Sequence, residues 1–283
     1  MSPQARLGEG DRRARELGRG EGLAFVIGPF RGGTTLLRKI LDSHSQIQSP
    51  AETWFLLPLL NLWEGRGKDA GFDPSQASAA IRGLVNQDQF IRCCRAFAGM
   101  FYAQQMVGSA RWFVDKTPMY LQIADVLVGL FPRARFIVLV RDPRGLCWSR
   151  HTWRHANSPS VESRYAGVAG DIQRLAAFWR EQHDRSVLVG YEELFTDPLT
   201  VCSRLCQFLE IPFERRMSEY GRAPHGEGYG DENTRAHDRP HTRGIDRWRD
   251  GLDESQQLEL LELCGAEALS AIGMDGVVKR RVA

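Results

Sequence analysis

Hydrophobic positions fall along this chain in two alternating rhythms. Leu23–Gly28 (LAFVIG) is an unbroken apolar run closed by a glycine, which predicts a strand buried on both faces. Just beyond it Leu36, Leu37, Ile40 and Leu41 recur at helical spacing. Runs at Trp112–Asp115, Arg135–Val140 and Val187–Tyr191 predict further strands, each followed by turn residues or a helical pattern. Strands alternating with helices predict an α/β fold, a parallel sheet flanked by helices on both faces. Residues 55–110 read as a helical insertion with breaks near Gly65–Phe72. Leu194, Val201, Leu205, Phe208 and Leu209 predict a helix over 193–209 with Pro198 in a first turn, and a last helix is predicted over Glu254–Ile272.

Two segments break the rhythm. Residues 1–21 carry Arg, Glu and Gly without an apolar region, so they read as a flexible charged leader in which a short helix stays open, with order starting near Gly22 and a single domain over 22–283. Residues 214–249 hold eight Arg, seven acidic residues, three His and five Gly, with almost no apolar periodicity. A loop of that length in a compact domain is usually functional, and it is expected to be a mobile lid.

Composition narrows the function. With 283 residues, 42% hydrophobic and 25% charged, the chain resembles an ordinary globular protein with ample core. A net charge of +2 excludes a wholly electrostatic nucleic-acid binder. No apolar run reaches membrane-spanning length and the first residues lack a secretory apolar region, so a cytoplasmic location is expected. Cys93, Cys94, Cys147, Cys202, Cys206 and Cys264 show neither zinc-ligand spacing nor a disulfide framework, so buried thiols and no metal site are expected.

The chemistry begins after the first strand. Gly28-Pro29-Phe30-Arg31-Gly32-Gly33-Thr34-Thr35 compares with the phosphate-binding pattern G-x-x-x-x-G-K-[ST]: Gly28, Gly33 and Thr35 fit, and Thr34 replaces the lysine. The glycines let backbone N–H groups turn inward around an anion, and the helix starting near Thr34 adds its positive end. Arg31 supplies a cation from within the loop. The lost lysine argues against a nucleoside-triphosphate enzyme. So does the residue after Val140, which is Arg141 where a magnesium-holding acid would stand. Arg141 and Ser149, eight residues apart, suit a second phosphate instead. The implied ligand has two separated anionic groups and needs no metal.

Together these residues resemble the sulfotransferases that use 3′-phosphoadenosine 5′-phosphosulfate (PAPS), over about Leu23 to Leu252. GPFRGGTTLL is similar to that family's 5′-phosphosulfate loop, which implies donor contacts from Arg31, Gly32, Gly33, Thr34 and Thr35. Arg141 and Ser149 match its 3′-phosphate pair. Tyr191, opening YEELFTDPL, matches a tyrosine near the adenine. RGIDRWRDGL resembles the family's C-terminal R-x-G…W segment with a shorter spacing, which brings in Arg243 and Gly244.

The resemblance also implies a catalytic set: Arg31, Lys116 in VDKTPMYL, and Glu52 in SPAETWFL. Protein-tyrosine and heparan sulfotransferases place a catalytic glutamate in a similar context, so Glu52 is the expected general base. Pro118 occupies the position of the histidine base of the cytosolic members. His44, His151 and His155 stay open as alternative bases. The expected activity is magnesium-independent transfer of a sulfuryl group to a hydroxyl of a metabolite, lipid, glycan or peptide tyrosine, releasing adenosine 3′,5′-bisphosphate. A P-loop kinase and a non-catalytic nucleotide-binding module remain the alternatives. The sequence names neither the acceptor nor the oligomeric state.

Overall fold

The computed structural model describes residues 3–65, 73–153, 161–222 and 245–275. Five parallel strands, β1 (Leu23–Ile27), β2 (Ile47–Gln48), β3 (Trp112–Asp115), β4 (Arg135–Val140) and β5 (Ser186–Gly190), form one sheet in the order β2-β3-β1-β4-β5. In register, Phe25 of β1 lies beside Asp115 of β3 and Phe136 of β4. Every residue of β1 is buried, as its continuous apolar run predicts for a central parallel strand.

Alternation along β1 divides the core in two. Leu23, Phe25 and Ile27 face a cluster with Tyr102, Phe113, Tyr120, Phe131 and Phe136. Phe25 lies 5.3 Å from Phe131 and meets Tyr120 edge-on at 6.0 Å. Ala24 and Val26 face the aliphatic side, with Leu37, Ile40, Ile137, Val189 and Leu205.

The helices are α1 (Pro3–Arg19), α2 (Thr34–Asp42), α3 (Leu56–Glu64), α4 (Pro74–Leu84), α5 (Gln87–Gln105), α6 (Ala124–Leu130), α7 (Pro143–His151), α8 (Val161–Gln182), α9 (Glu193–Thr196), α10 (Pro198–Leu209), α11 (Glu254–Cys264) and α12 (Ala266–Ala271). Their starts follow local chemistry. Asp142 and Asp197 cap α7 and α10, each followed by a proline in the first turn, and Asn86–Gln89 and Asp253–Gln256 form capping boxes. The expected insertion is α3, α4 and α5. Among the described residues no helix is long and apolar enough to cross a membrane.

The structure departs from the sequence reading in several places. The leader is helical over the described residues. It is α1, packed on α5, with Leu17 fully buried. Close approach of small residues replaces an apolar stripe there: a Cβ on Gly99 of α5 would lie 2.0 Å from the Ala14 carbonyl oxygen. The predicted last helix is two, because Gly265 (φ 82°) ends α11 before α12 begins. The edge strand β2 was not predicted. Its two residues are too short for a periodic signal.

The expected lid, 214–249, begins and ends in fixed structure. Met217 and Tyr220 are buried in the aliphatic core, and Trp248 is buried against α7. Residues 223–244, including Arg243 and Gly244, lie outside the described residues.

The α1–α5 contact gives a prediction. Gly99→Ala puts a methyl into backbone that no side-chain rotation can clear, at a cost of roughly 1–3 kcal/mol. Thermal unfolding should show a Tm lower by several degrees. A Tm equal to or above wild type, the ordinary result of Gly→Ala within a helix, would contradict the docked helix.

Candidate functional site

Segments leaving the carboxyl ends of β1, β2, β3, β4 and β5 carry the predicted site residues. The chain runs outward in one direction after β1 and in the other after β4, so the β1/β4 boundary is where a parallel sheet opens a crevice. The loop after β1 occupies it. Gly32 N–H donates to Pro29 O (2.8 Å), closing a turn in which Arg31 holds a left-handed φ of 67°. Gly33 follows with φ 96° as the N-cap of α2, and no side chain caps this helix start. A residue with a Cβ is barred at Gly33 twice over. Its backbone is left-handed, and the Cβ would lie 2.2 Å from the Tyr191 ring.

Arg141 and Ser149 close on this loop from the β4 side. Arg31 Nε donates to Ser149 Oγ (3.3 Å), and Arg141 donates to Arg31 O (2.7 Å). The Arg141 guanidinium lies 4.2 Å from the centroid of Tyr191, whose ring also packs on Gly33. Arg141 is buried, and burial pushes its pKa down. Among the described residues no carboxylate stands within ion-pair distance of it. Asp142, next in sequence, is occupied: it accepts from Arg144 Nε (3.0 Å) and Nη2 (2.7 Å) and caps α7. A buried cation with no ion-paired carboxylate among the described residues, beside an uncapped helix start, can receive an anionic group without displacing an ion pair.

The second half of the site hangs from β3. Lys116 follows the strand's last residue and is almost fully buried. Its ammonium is ion-paired with Glu52 Oε1 and donates to Thr35 Oγ1 (3.3 Å) on the first turn of α2. Burial lowers the Lys116 pKa, and the Glu52 charge opposes that shift. The other Glu52 oxygen, Oε2, accepts from the Trp54 indole N–H (2.9 Å). So Arg31, Gly32–Thr35, Glu52, Lys116, Arg141, Ser149 and Tyr191 are brought together by contacts that run through the loop and α2.

The profile of the Sulfotransferase family matches residues 24–215. The chain belongs to the sulfotransferase family. Among curated relatives, the nodulation protein NoeE of Sinorhizobium fredii is 36% identical over 137 residues, 46% of this chain and 32% of that protein. Protein-tyrosine sulfotransferase A of Caenorhabditis elegans is 26% identical over 215 residues, 68% of this chain and 51% of that one. The chain therefore spans about a third to a half of the length of these relatives. Among solved structures, the sulfotransferase domain of the Synechococcus PCC 7002 olefin synthase superposes with a TM-score of 0.61 at 24% identity, covering 86% of this chain and 92% of that domain. Mouse SULT7A1, solved with PAP, gives 0.53 at 15% identity, covering 100% of this chain and 95% of that one. Both likenesses concern the fold.

Within this chain of the sulfotransferase family, the described candidate histidines His44 and His151 have partners outside the group just described. The buried ring of His44 accepts from Gln46 N–H at Nδ1 (3.0 Å) and donates from Nε2 to Pro212 O (2.7 Å). Both ring nitrogens are thereby engaged, and Glu214 Oε1 lies 3.7 Å from Nε2. His151 lies at the exposed end of α7 against Arg164, and His155 lies outside the described residues.

Several site-building residues escaped the sequence reading. Asp115 is fully buried and accepts from Thr53 Oγ1 (2.8 Å), Tyr102 OH (2.7 Å) and Tyr120 OH (3.3 Å). It pins the Glu52 segment to β3. Ser49 pins the same segment upstream, donating from Oγ to Val114 O (2.8 Å) and accepting Arg38 at its carbonyl (2.7 Å). Only the three-dimensional placement reveals the hydroxyl network.

Burial pushes the Asp115 carboxyl up to about 6, against the hydrogen bonds that lower it. The folded protein therefore keeps this proton between pH 4 and 6, where the unfolded chain has released it. Stability must fall as pH rises through that window and level off above it. The decline amounts to roughly 3 kcal/mol at most. Urea unfolding from pH 4 to 7 should show it in wild type relative to Asp115→Asn, which cannot ionise. Parallel curves for the two proteins would contradict the assignment.

Proposed function

We propose that the chain transfers the sulfuryl group of PAPS to a hydroxyl, with Glu52 as general base. The observation that carries the reading is the continuity Glu52–Lys116–Thr35. A carboxylate, a buried ammonium and the first turn of the loop helix form one hydrogen-bonded chain. Family membership and the fold support sulfuryl transfer in general. The buried Arg141, with no carboxylate at ion-pair distance among the described residues, supports an anionic donor.

In this reading Arg31 and the N–H groups of Gly32–Thr35 hold the phosphosulfate end. Arg141 and Ser149 hold the 3′-phosphate, and Tyr191 borders the adenine. Arg243 and Gly244 belong to the same assignment. PAPS supplies an already activated sulfuryl group. The chain's own task is to align the acceptor, take its proton and balance charge on the departing phosphate oxygen. Glu52 takes the proton. Neutralising Glu52 removes the counter-charge of Lys116, so the ammonium becomes available to the leaving oxygen as that charge grows. Arg31 assists from the loop.

A nucleoside-triphosphate kinase fits less well. Thr34 replaces the loop lysine, Arg141 stands at the end of β4, and Asp142 is committed to Arg144 and the α7 cap. A purely binding module leaves the buried Lys116–Glu52 pair without a task. Such a pair is a poor source of stability.

The test is transfer of radiolabelled sulfate from PAPS to a panel of a tyrosine peptide, an oligosaccharide and simple alcohols, with chelator present. Glu52→Gln should lower kcat about 10²- to 10⁴-fold, the usual range for a lost general base, with adenosine 3′,5′-bisphosphate binding retained. Undiminished turnover in that variant would contradict the base assignment. Because burial lowers the Lys116 pKa, activity that needs its charge should fail on the alkaline side at a pH below the ordinary lysine range. Lys116→Arg keeps the charge and should move that arm upward. An unmoved arm would remove Lys116 from the charge-balancing role.

A further inference from the structure

Trp54 departs from what its neighbourhood predicts. Beside a buried ion pair, an aromatic residue ordinarily packs inward, as Phe55 does against Phe101 (4.2 Å) and Phe97 (5.8 Å). Trp54 instead stays 39% exposed with a left-handed φ of 56°. A bulky side chain in that region is strained, and such strain persists only where surrounding contacts over-determine it.

Here they do. On one side Thr53 is tied to Asp115. On the other, Phe55 is held in the aromatic cluster, and its N–H donates across Trp54 to Thr53 O (2.7 Å). The Trp54 N–H itself reaches Thr117 Oγ1 (3.4 Å). The tight turn carries the indole back over the preceding residues, so that Nε1 donates to Glu52 Oε2 (2.9 Å).

We infer that Trp54 is a positioning residue for Glu52, its indole N–H fixing Oε2 while Lys116 fixes Oε1. This inference rests on Glu52 being the base. A glutamate has three side-chain torsions, and one ion pair at a single oxygen leaves rotation of the carboxylate about that contact. A second donor on the other oxygen removes it. The result is a carboxylate of fixed plane whose remaining lone pairs can meet an incoming hydroxyl. Glycine would occupy this backbone conformation with no strain but would give up the donor.

The experiment is a cycle on the full chain, with kcat and both KM values measured by radiolabelled sulfate transfer and Tm measured in parallel. Trp54→Phe keeps an aromatic ring and removes the N–H. It should lower kcat about tenfold to a hundredfold, the scale of one hydrogen bond to a charged group, with the KM for PAPS and the Tm near wild type. Trp54→Gly relieves the strained φ and should lose at least as much kcat while remaining folded. In a Glu52→Ala background the Phe substitution should have no further effect, because Trp54 acts through that carboxylate. Wild-type kcat in Trp54→Phe would overturn the inference. So would an undiminished effect of Trp54→Phe in the Glu52→Ala background. Failure of the underlying reading looks different: Glu52→Ala alone would then retain wild-type turnover.

Discussion

A lysine ammonium almost sealed from water is the constraint on which the carboxyl end of this sheet depends. Burying such a charge costs several kcal/mol unless it is paired and hydrogen-bonded. Lys116 meets both conditions at once, with Glu52 as counter-ion and Thr35 as acceptor. Each partner comes from a different part of the chain, so satisfying one cation joins β3, the glycine loop's helix and the segment after β2. The segment carrying Glu52 has no regular structure of its own. It is held by Asp115 through Thr53 and by Val114 and Arg38 through Ser49. Disturbing any of those ties threatens to leave a charge buried and alone.

The same economy of contacts appears across the β1/β4 boundary. Arg31 has its side chain on Ser149 and its carbonyl on Arg141, so one residue couples the two loops that diverge there. The Tyr191 ring, packed between Gly33 and Arg141, adds the end of β5 to that coupling. Trp248, stacked 3.9 Å from the Arg144 guanidinium, anchors the chain beyond 244 on the helix that carries Ser149. Cations at this end of the sheet thus lean on rings and carbonyls at one group, Arg141, and on carboxylates at others, Arg144 and Lys116. That difference marks where an anionic ligand meets least competition.

Long apolar runs and their spacing made the sheet legible: β1, β3 and β4 lie where the hydrophobic pattern puts them, because strands buried on both faces leave no polar positions to blur the signal. The glycine loop was legible for a different reason. Close approach of Tyr191 and a positive φ at Gly33 admit no other residue there. What stayed hidden had weak local signals. Helix α1 docks through Gly18 and Gly99 rather than through an apolar stripe, so its sequence resembles a solvated leader. Asp115 looked like an ordinary strand end, and its role appears only when Thr53, Tyr102 and Tyr120 converge on it. Nothing in the sequence around Trp54 signals its left-handed backbone or its bond to Glu52.

The claim beneath this account is that the crevice between β1 and β4 binds a nucleotide bearing a 3′-phosphate without a metal. Thermal unfolding with adenosine 3′,5′-bisphosphate in chelator, beside ADP and Mg²⁺-ATP, tests it on wild type and Arg141→Ala. A ligand that binds only the folded chain raises Tm by mass action. The account predicts a rise with the 3′,5′-bisphosphate alone, abolished in Arg141→Ala. A rise confined to Mg²⁺-ATP would contradict it and return the site to kinase chemistry.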